Sequence, residues 1–245
     1  MEPVLYNAMS GSKTDFHKQN INTNNLANIN TPGFKADIFQ AQSMYVTGAA
    51  ETSEAFVVQT ENATDFTDGS LITTGRDLDV AVQGDGWFAV QDSQGKEAYT
   101  RGGDFHLTEN GMLVTASNRP VLGDGGPISI PPAQRIEIGN DGTISVVPLD
   151  GDPDTLAVID RLKLVKLDPK NITKNVDGLM TLKQGGTAPS DASITIVKGA
   201  LENSNVNAVG EMVDLIATGR EYDSQMKVMQ IADEDSQKLA QLLQI

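Results

Sequence analysis

The stretch Ala208-Val209-Gly210-Glu211-Met212-Val213-Asp214-Leu215-Ile216-Ala217-Thr218-Gly219-Arg220-Glu221-Tyr222-Asp223-Ser224-Gln225-Met226-Lys227-Val228-Met229 decides the fold. Ala208, Met212, Leu215, Gly219, Tyr222, Met226 and Met229 recur at alternating spacings of 4 and 3, and Val206, Val209, Val213 and Ile216 lie beside that row and widen it. Residues three and four apart share one helix face, so the pattern predicts an amphipathic helix. Leu239, Leu242 and Leu243 continue the stripe beyond the acidic run Asp233-Glu234-Asp235. A helix from about Ala200 to the C-terminus is longer than the roughly 8–20 residues of an ordinary core helix.

The other end of the chain mirrors this pattern. Leu5, Met9, Ser12, Phe16, Gln19, Thr23 and Leu26 follow the same 4-3 alternation, with polar Ser12, Gln19 and Thr23 among them. Asn20, Asn22, Asn24, Asn25, Asn28 and Asn30 crowd the second half. Asparagine competes with the helical backbone through its own amide, so this half is a poor helix in isolation. Thr31-Pro32-Gly33 stops it, because proline disfavours helix at the residue before it and Gly33 supplies the turn. Phe34 is then placed to anchor the chain as it leaves. Neither end can bury its stripe alone, and pairing the two predicts a two-helix coiled coil.

Between the helices the period changes to two. Leu78-Asp79-Val80-Ala81-Val82 alternates, Trp87-Phe88-Ala89-Val90 follows a Gly84-Asp85-Gly86 turn, and Ile136-Glu137-Ile138, Thr143–Val147 and Leu162–Leu167 read as further strands. Glu109-Asn110-Gly111 and Asn140-Asp141-Gly142 are hairpin turns, since Asn and Gly tolerate positive φ. The expected fold class is therefore mixed, an all-β central domain flanked by long N- and C-terminal α-helices. The expected divisions are an N-terminal helix and turn over 1–35, an extended linker arm over 36–70, a β-rich domain over 71–198 and a long helix over 199–245.

Composition narrows the function. The formal net charge is −15, of which the middle, residues 36–198, carries −11. An acidic body repels phosphate and disfavours nucleic acid. No run of about 18 apolar residues occurs, so direct membrane insertion is not expected. The first residues lack the basic and apolar segments of a cleaved signal peptide. Cysteine is absent, which excludes disulfides and thiolate chemistry. Neither histidine, His17 nor His106, has a partner at metal-binding spacing. Asp77 and Asp79 share a strand face, but with 33 acidic residues in the chain such a pair carries little weight. Gly123-Asp124-Gly125-Gly126-Pro127 fits no phosphate loop. Trp87, the only tryptophan, reads as a core anchor. No catalytic site, metal or cofactor is expected. Rival readings are an acidic ligand-binding β-domain and a hydrolase with paired carboxylates, and both leave the terminal stripes unexplained.

Asn24-Asn25-Leu26-Ala27-Asn28-Ile29-Asn30-Thr31-Pro32-Gly33-Phe34-Lys35 resembles the N-terminal signature of the flagellar rod and hook protein family. Leu201-Glu202-Asn203-Ser204-Asn205-Val206-Asn207 resembles its C-terminal signature. Gly75–Val82, Gly84–Val90 and Tyr99-Thr100-Arg101-Gly102-Gly103 are similar to its β-domain. Arg161–Lys166, Gln225–Val228 and the chain length look more like the branch that builds the proximal rod. Gly219-Arg220-Glu221-Tyr222 departs from the Gln-Arg-Ala-Tyr common in the distal branch. The resemblance implies a structural subunit that polymerises into a helical, torque-transmitting tube in the flagellar basal body, with the rod crossing the periplasm. It implies export through the flagellar type III apparatus without a cleaved signal. The implied partners are proximal and distal rod subunits, copies of the same chain and the export apparatus. Residues expected to carry helix packing and assembly are Leu5, Met9, Phe16, Asn24, Asn25, Leu26, Asn28, Gly33, Phe34, Leu201, Asn205, Val206, Val209, Met212, Leu215, Ile216, Tyr222, Met226 and Met229.

Overall fold

A computed structural model describes residues 2–47, 53–59, 63–149 and 156–242. Two long helices, α1 (Glu2–Ala27) and α2 (Ala208–Leu242), enclose a region of short strands in the chain order. The chain divides into two compact units: Met1–Ile29, Ala36–Asp65 and Val206–Ile245 form a helix-bearing unit, and Asn30–Lys35 with Phe66–Asn205 form a β-rich unit. Among the described residues, no helix is long and apolar enough to cross a membrane.

In the helix-bearing unit α1 and α2 pack against each other. They run antiparallel, since Asn25 meets Glu211 near one end while Lys18 lies 3.8 Å from Glu221 further along. The α1 periodicity gives way at Asn28, whose side-chain amide bonds back to the Asn24 carbonyl at 2.9 Å. The second helix starts at Ala208, later than the sequence pattern suggested. Its cap is the reason: the Asn207 side-chain oxygen accepts the N–H groups of Val209 and Gly210 at 3.1 and 3.2 Å, satisfying donors that the first turn leaves open. The continuation of the stripe at Leu239, Leu242 and Leu243 lies outside the described side chains.

Segment 36–70, expected as an extended arm, is extended in backbone but doubled back on itself. β1 (Asp37–Ile38) pairs antiparallel with β4 (Ala63–Thr64), and β2 (Ala41–Thr47) pairs with β3 (Ser53–Gln59) from Ala41↔Gln59 to Thr47↔Ser53. The ladder satisfies main-chain groups that a single extended strand would leave to water. Residues 48–52 and 60–62 of this segment lie outside the description.

In the β-rich unit, β5 (Leu71–Thr73) pairs with Ala200–Glu202, β6 (Val80–Gln83) with Thr195–Lys198, and β7 (Gly86–Gln91) with β8 (Glu97–Thr100). A five-stranded sheet runs Leu164–Lys166, β7, β8, Met180–Leu182, Ile172–Lys174. A three-stranded antiparallel sheet joins Ala133–Ile138, Thr143–Pro148 and Ala157–Arg161. The predicted strand over Leu162–Leu167 is broken, with Leu162 and Lys163 between the two sheets. One core gathers Val80, Val82, Phe88, Val90, Phe105, Leu113 and Ile144, with Phe88 edge-on to Phe105. A second gathers Trp87, Tyr99, Val165 and Met180, so Trp87 is a core residue with Phe66 against its edge.

Candidate assembly surface and signature segments

Among the described residues, the buried side chains of the two helices are mostly polar, with Ala8 and Ile21 the apolar ones. Ser12, Asp15, Asn25 and Thr218 are buried. Asn25 is the most heavily bonded: its side-chain nitrogen donates to the Asp37 carbonyl at 2.9 Å and to Glu211 Oε1 at 3.0 Å, while its oxygen accepts the Asp37 N–H at 2.9 Å. Ser12 returns its hydroxyl to the Ala8 carbonyl. Lys18 reaches both Asp15 and Glu221 and sits over the Phe39 ring. Burial raises the Asp15 carboxyl above its ordinary range, opposed by Lys18 and reinforced by Glu221. Burial likewise raises Glu211, opposed by the Asn25 hydrogen bond and reinforced by Asp214.

The apolar side chains expected in the seam mostly face the other way. Leu5, Met9, Phe16, Val209, Met212, Ile216 and Met226 are between 45% and 72% exposed. Leu26, Val206, Leu215, Tyr222 and Met229 are half-buried, and Asn24 is exposed. The 4-3 rows are therefore split along their length. On α2, Ala208, Leu215, Tyr222 and Met229 lie on the less exposed side with Glu211, Thr218 and Gln225, whereas Met212 and Met226 do not. Apolar faces of this kind on a folded chain mark interaction sites.

The signature segments meet inside the β-rich unit. Gly33 takes φ +67°, a left-handed turn. A side chain there would put its Cβ 2.2 Å from the Arg101 carbonyl carbon and the Gly102 nitrogen. The Gly33 N–H donates to the Glu202 carbonyl at 2.7 Å, and the Asn205 N–H donates to the Phe34 carbonyl at 3.3 Å. Phe34 is half-buried with Lys174 Nζ 3.9 Å above its ring. Leu201 pairs with Ile72, and the Asn205 amide donates to the Thr67 carbonyl at 3.1 Å. Beneath this lies a buried ion cluster that sequence reasoning missed. Lys35 Nζ is 2.8 Å from Glu202 Oε1, Arg101 is 3.1 Å from Glu202 Oε2, and Asp68 approaches both cations at 3.3 and 3.1 Å. Arg101 also stacks over Trp87. The signal was present in part: Lys35, Arg101 and Glu202 each lie in a different one of the blocks quoted for the family resemblance, whereas Asp68 lies in none.

The other chemical candidates are absorbed structurally. Asp79 is buried, accepts the Thr74 hydroxyl at 2.6 Å and pairs with Arg76 at 3.3 Å, while Asp77 is exposed. His17 and His106 are half-buried. Asp124 to Gly126 border an open, polar depression of about 530 Å³ with Glu97 and Lys163. Glu97 holds both Lys163 and the Tyr99 hydroxyl at 2.8 Å, and burial pushes the Tyr99 phenol well above its usual range.

Residues 5–35 match the family described as flagella basal body rod protein, residues 81–146 the D1 domain of flagellar hook protein FlgE/F/G, and residues 197–242 the C-terminal region of flagellar basal body rod FlgEFG proteins. The chain is 39% identical over 249 residues to flagellar basal-body rod protein FlgF of Salmonella typhimurium and 38% over 250 residues to FlgF of Escherichia coli, covering 99% of each chain in both cases. It is 32% identical over 263 residues to flagellar basal-body rod protein FlgG of Bacillus subtilis, covering 97% of this chain and 98% of the relative.

Proposed function

The chain belongs to the flagellar basal-body rod protein family and is a structural subunit of the rod, and from that premise we propose that it is a non-catalytic building block of the proximal rod that assembles through the outward faces of its terminal helices. The observation that carries this is the division of labour along α1 and α2. Mostly polar groups, with Ala8 and Ile21, are buried on the two helices of one chain, and the exposed apolar side chains Leu5, Met9, Phe16, Met212 and Ile216 are left for neighbours. A subunit with such faces buries them by heterologous contacts that extend into a tube. The helix pair would supercoil as a coiled coil when packed in that tube and transmit torque along it. Proximal and distal rod subunits and further copies of the chain are its partners, and the flagellar type III apparatus exports it across the inner membrane.

In the free subunit the terminal helices are disordered and order on assembly. The Asn-rich half of α1 is weak, and isolated helices of about 12–15 residues are marginal in water. The 39% and 38% identity to the FlgF proteins of Salmonella typhimurium and Escherichia coli, against 32% to FlgG of Bacillus subtilis, favours the proximal over the distal position.

The absence of cysteine makes a direct test simple. A Met212→Cys or Ile216→Cys chain has one thiol. It should react quickly with maleimide in the free subunit and be shielded in isolated basal bodies. Equal reactivity in both states overturns the helix faces as the assembly surface. Labelling the same rods with antibody should place the chain at the proximal end, and label confined to the hook end would favour the distal position.

A further inference from the structure

Lys35 and Glu202 are each 2% exposed, and Arg101 is 4% exposed. With the exposed Asp68 at the rim they form two cations against two carboxylates, so the cluster as a whole is neutral while its three buried members carry one net positive charge. The main chain closes over it. Gly69 N–H donates to Glu202 Oε1 at 3.1 Å, Lys35 Nζ donates to the Thr67 carbonyl at 2.8 Å, and Lys174 Nζ donates to the Lys35 carbonyl at 2.9 Å. The Gly33 and Asn205 amides bond across the same two segments. Every one of these contacts lies within the β-rich unit, and none uses a residue of α1 or α2.

We propose that Glu202, with Lys35, Arg101 and Asp68, is a clasp that keeps residues 30–35 and 200–205 folded onto the β-rich unit whether or not the terminal helices are ordered. The unassembled subunit then has a fixed body ending near Asn30 and Asn205, not at the outermost core strands. The non-helical parts of both family signature segments, residues 30–35 and 201–205, are held in place before any neighbour arrives. A buried charge left without its partner is strongly unfavourable, so the cluster is either intact or locally opened. Glu202 is the positioning residue, because its buried carboxylate contacts both cations, as the exposed Asp68 also does, and its carbonyl in addition accepts the Gly33 N–H.

This deepens the reading of assembly-coupled helix ordering and rests on it only for its purpose. Amide hydrogen exchange on the purified full-length subunit tests it. In the wild type Gly33, Gly69 and Asn205 should be protected. In Glu202→Gln these three amides should exchange roughly ten-fold faster or more, while the buried Val80, Ala89 and Leu113, whose N–H groups donate to the Gly103, Lys163 and Ile128 carbonyls at 3.0 Å, keep their rates. Lys35→Met leaves Arg101 with both carboxylates, so it should give a smaller change of the same pattern, and it answers the question if Glu202→Gln fails to fold. Lys166→Gln, which removes an exposed ion pair with Asp85, is the control and should change none of them. Unprotected Gly33, Gly69 and Asn205 in the wild type overturn the clasp. So does uniform acceleration that includes Val80, Ala89 and Leu113, or no change in either variant. Strong protection throughout α1 and α2 of a verified monomer is a separate failure. It would remove assembly-coupled ordering and leave the clasp to be judged on its own three amides.

Discussion

Gly33 illustrates how two different penalties can meet at one residue. Its φ of +67° disfavours any side chain, and its Cβ position is occupied by the Arg101–Gly102 backbone at 2.2 Å. Gly75 has a similar φ of +73° but nothing within 4 Å of the Cβ position. Gly75→Ala should therefore cost about 1–2 kcal/mol, the strain alone. Gly33→Ala should cost roughly 3 kcal/mol or more, because backbone cannot step aside as a flexible side chain can. Thermal unfolding of the two variants separates the terms, and equal losses would mean that the contact at Gly33 relaxes freely. The sequence pointed to the turn, since proline and glycine punctuate locally. It did not point to the contact, because Arg101 is brought to Gly33 only by the tertiary fold. The same is true of Lys35 and Glu202, which lie 167 residues apart and carry no local pattern that would join them.

Helices α1 and α2 were legible as helices because a 3.6-residue period survives in sequence. Which of two neighbouring faces turns inward was not. Adjacent residues such as Glu211 and Met212, or Gln225 and Met226, lie only about 100° apart around a helix, and the usual preference of apolar groups for the interior favoured the methionines. The polar members won the intrachain interface because Asn25 can satisfy Glu211 and the Asp37 backbone together. Substitutions should therefore separate by face. Met212→Asp, at an exposed position, should change subunit stability by no more than about 0.5 kcal/mol yet abolish rod assembly and motility, since a buried unpaired charge costs several kcal/mol by order of magnitude. Leu215→Asp, at a half-buried position, should impair the helix pair as well. Normal swimming in both strains counts against the outward face. The same interface carries a pH dependence. Asp15 and Glu211 both titrate above their ordinary values when the helices are packed, so the packed pair binds more protons than the separated helices in that window. Its stability must rise as pH falls from neutral through the raised values and level off near the ordinary carboxylate range. Helical circular dichroism of assembled rods near their dissociation point should increase as pH is lowered from neutral toward the ordinary carboxylate range, and an Asp15→Asn, Glu211→Gln double variant should lose that slope.

Across the whole molecule the formal charge of −15 opposes association of like subunits. Screening should relieve this, since the Debye length falls from about 30 Å at 0.01 M salt to about 8 Å at 0.15 M. Sedimentation velocity should thus find the onset of polymerisation at lower protein concentration as salt is raised, and the reverse trend would show that attractive ion pairs drive the contacts. The architecture also sets a timetable for the chain's birth. Its β-rich unit begins at Asn30, leaves off at Lys35, resumes at Phe66 and ends at Asn205. A polypeptide made from its N-terminus at about 5–20 residues per second presents Lys35 early and must wait for Glu202. Pairings this distant in sequence slow folding, because the intervening loop must close before they contribute. For most of synthesis no complete unit exists to fold, and the growing chain stays pliable until it is nearly finished.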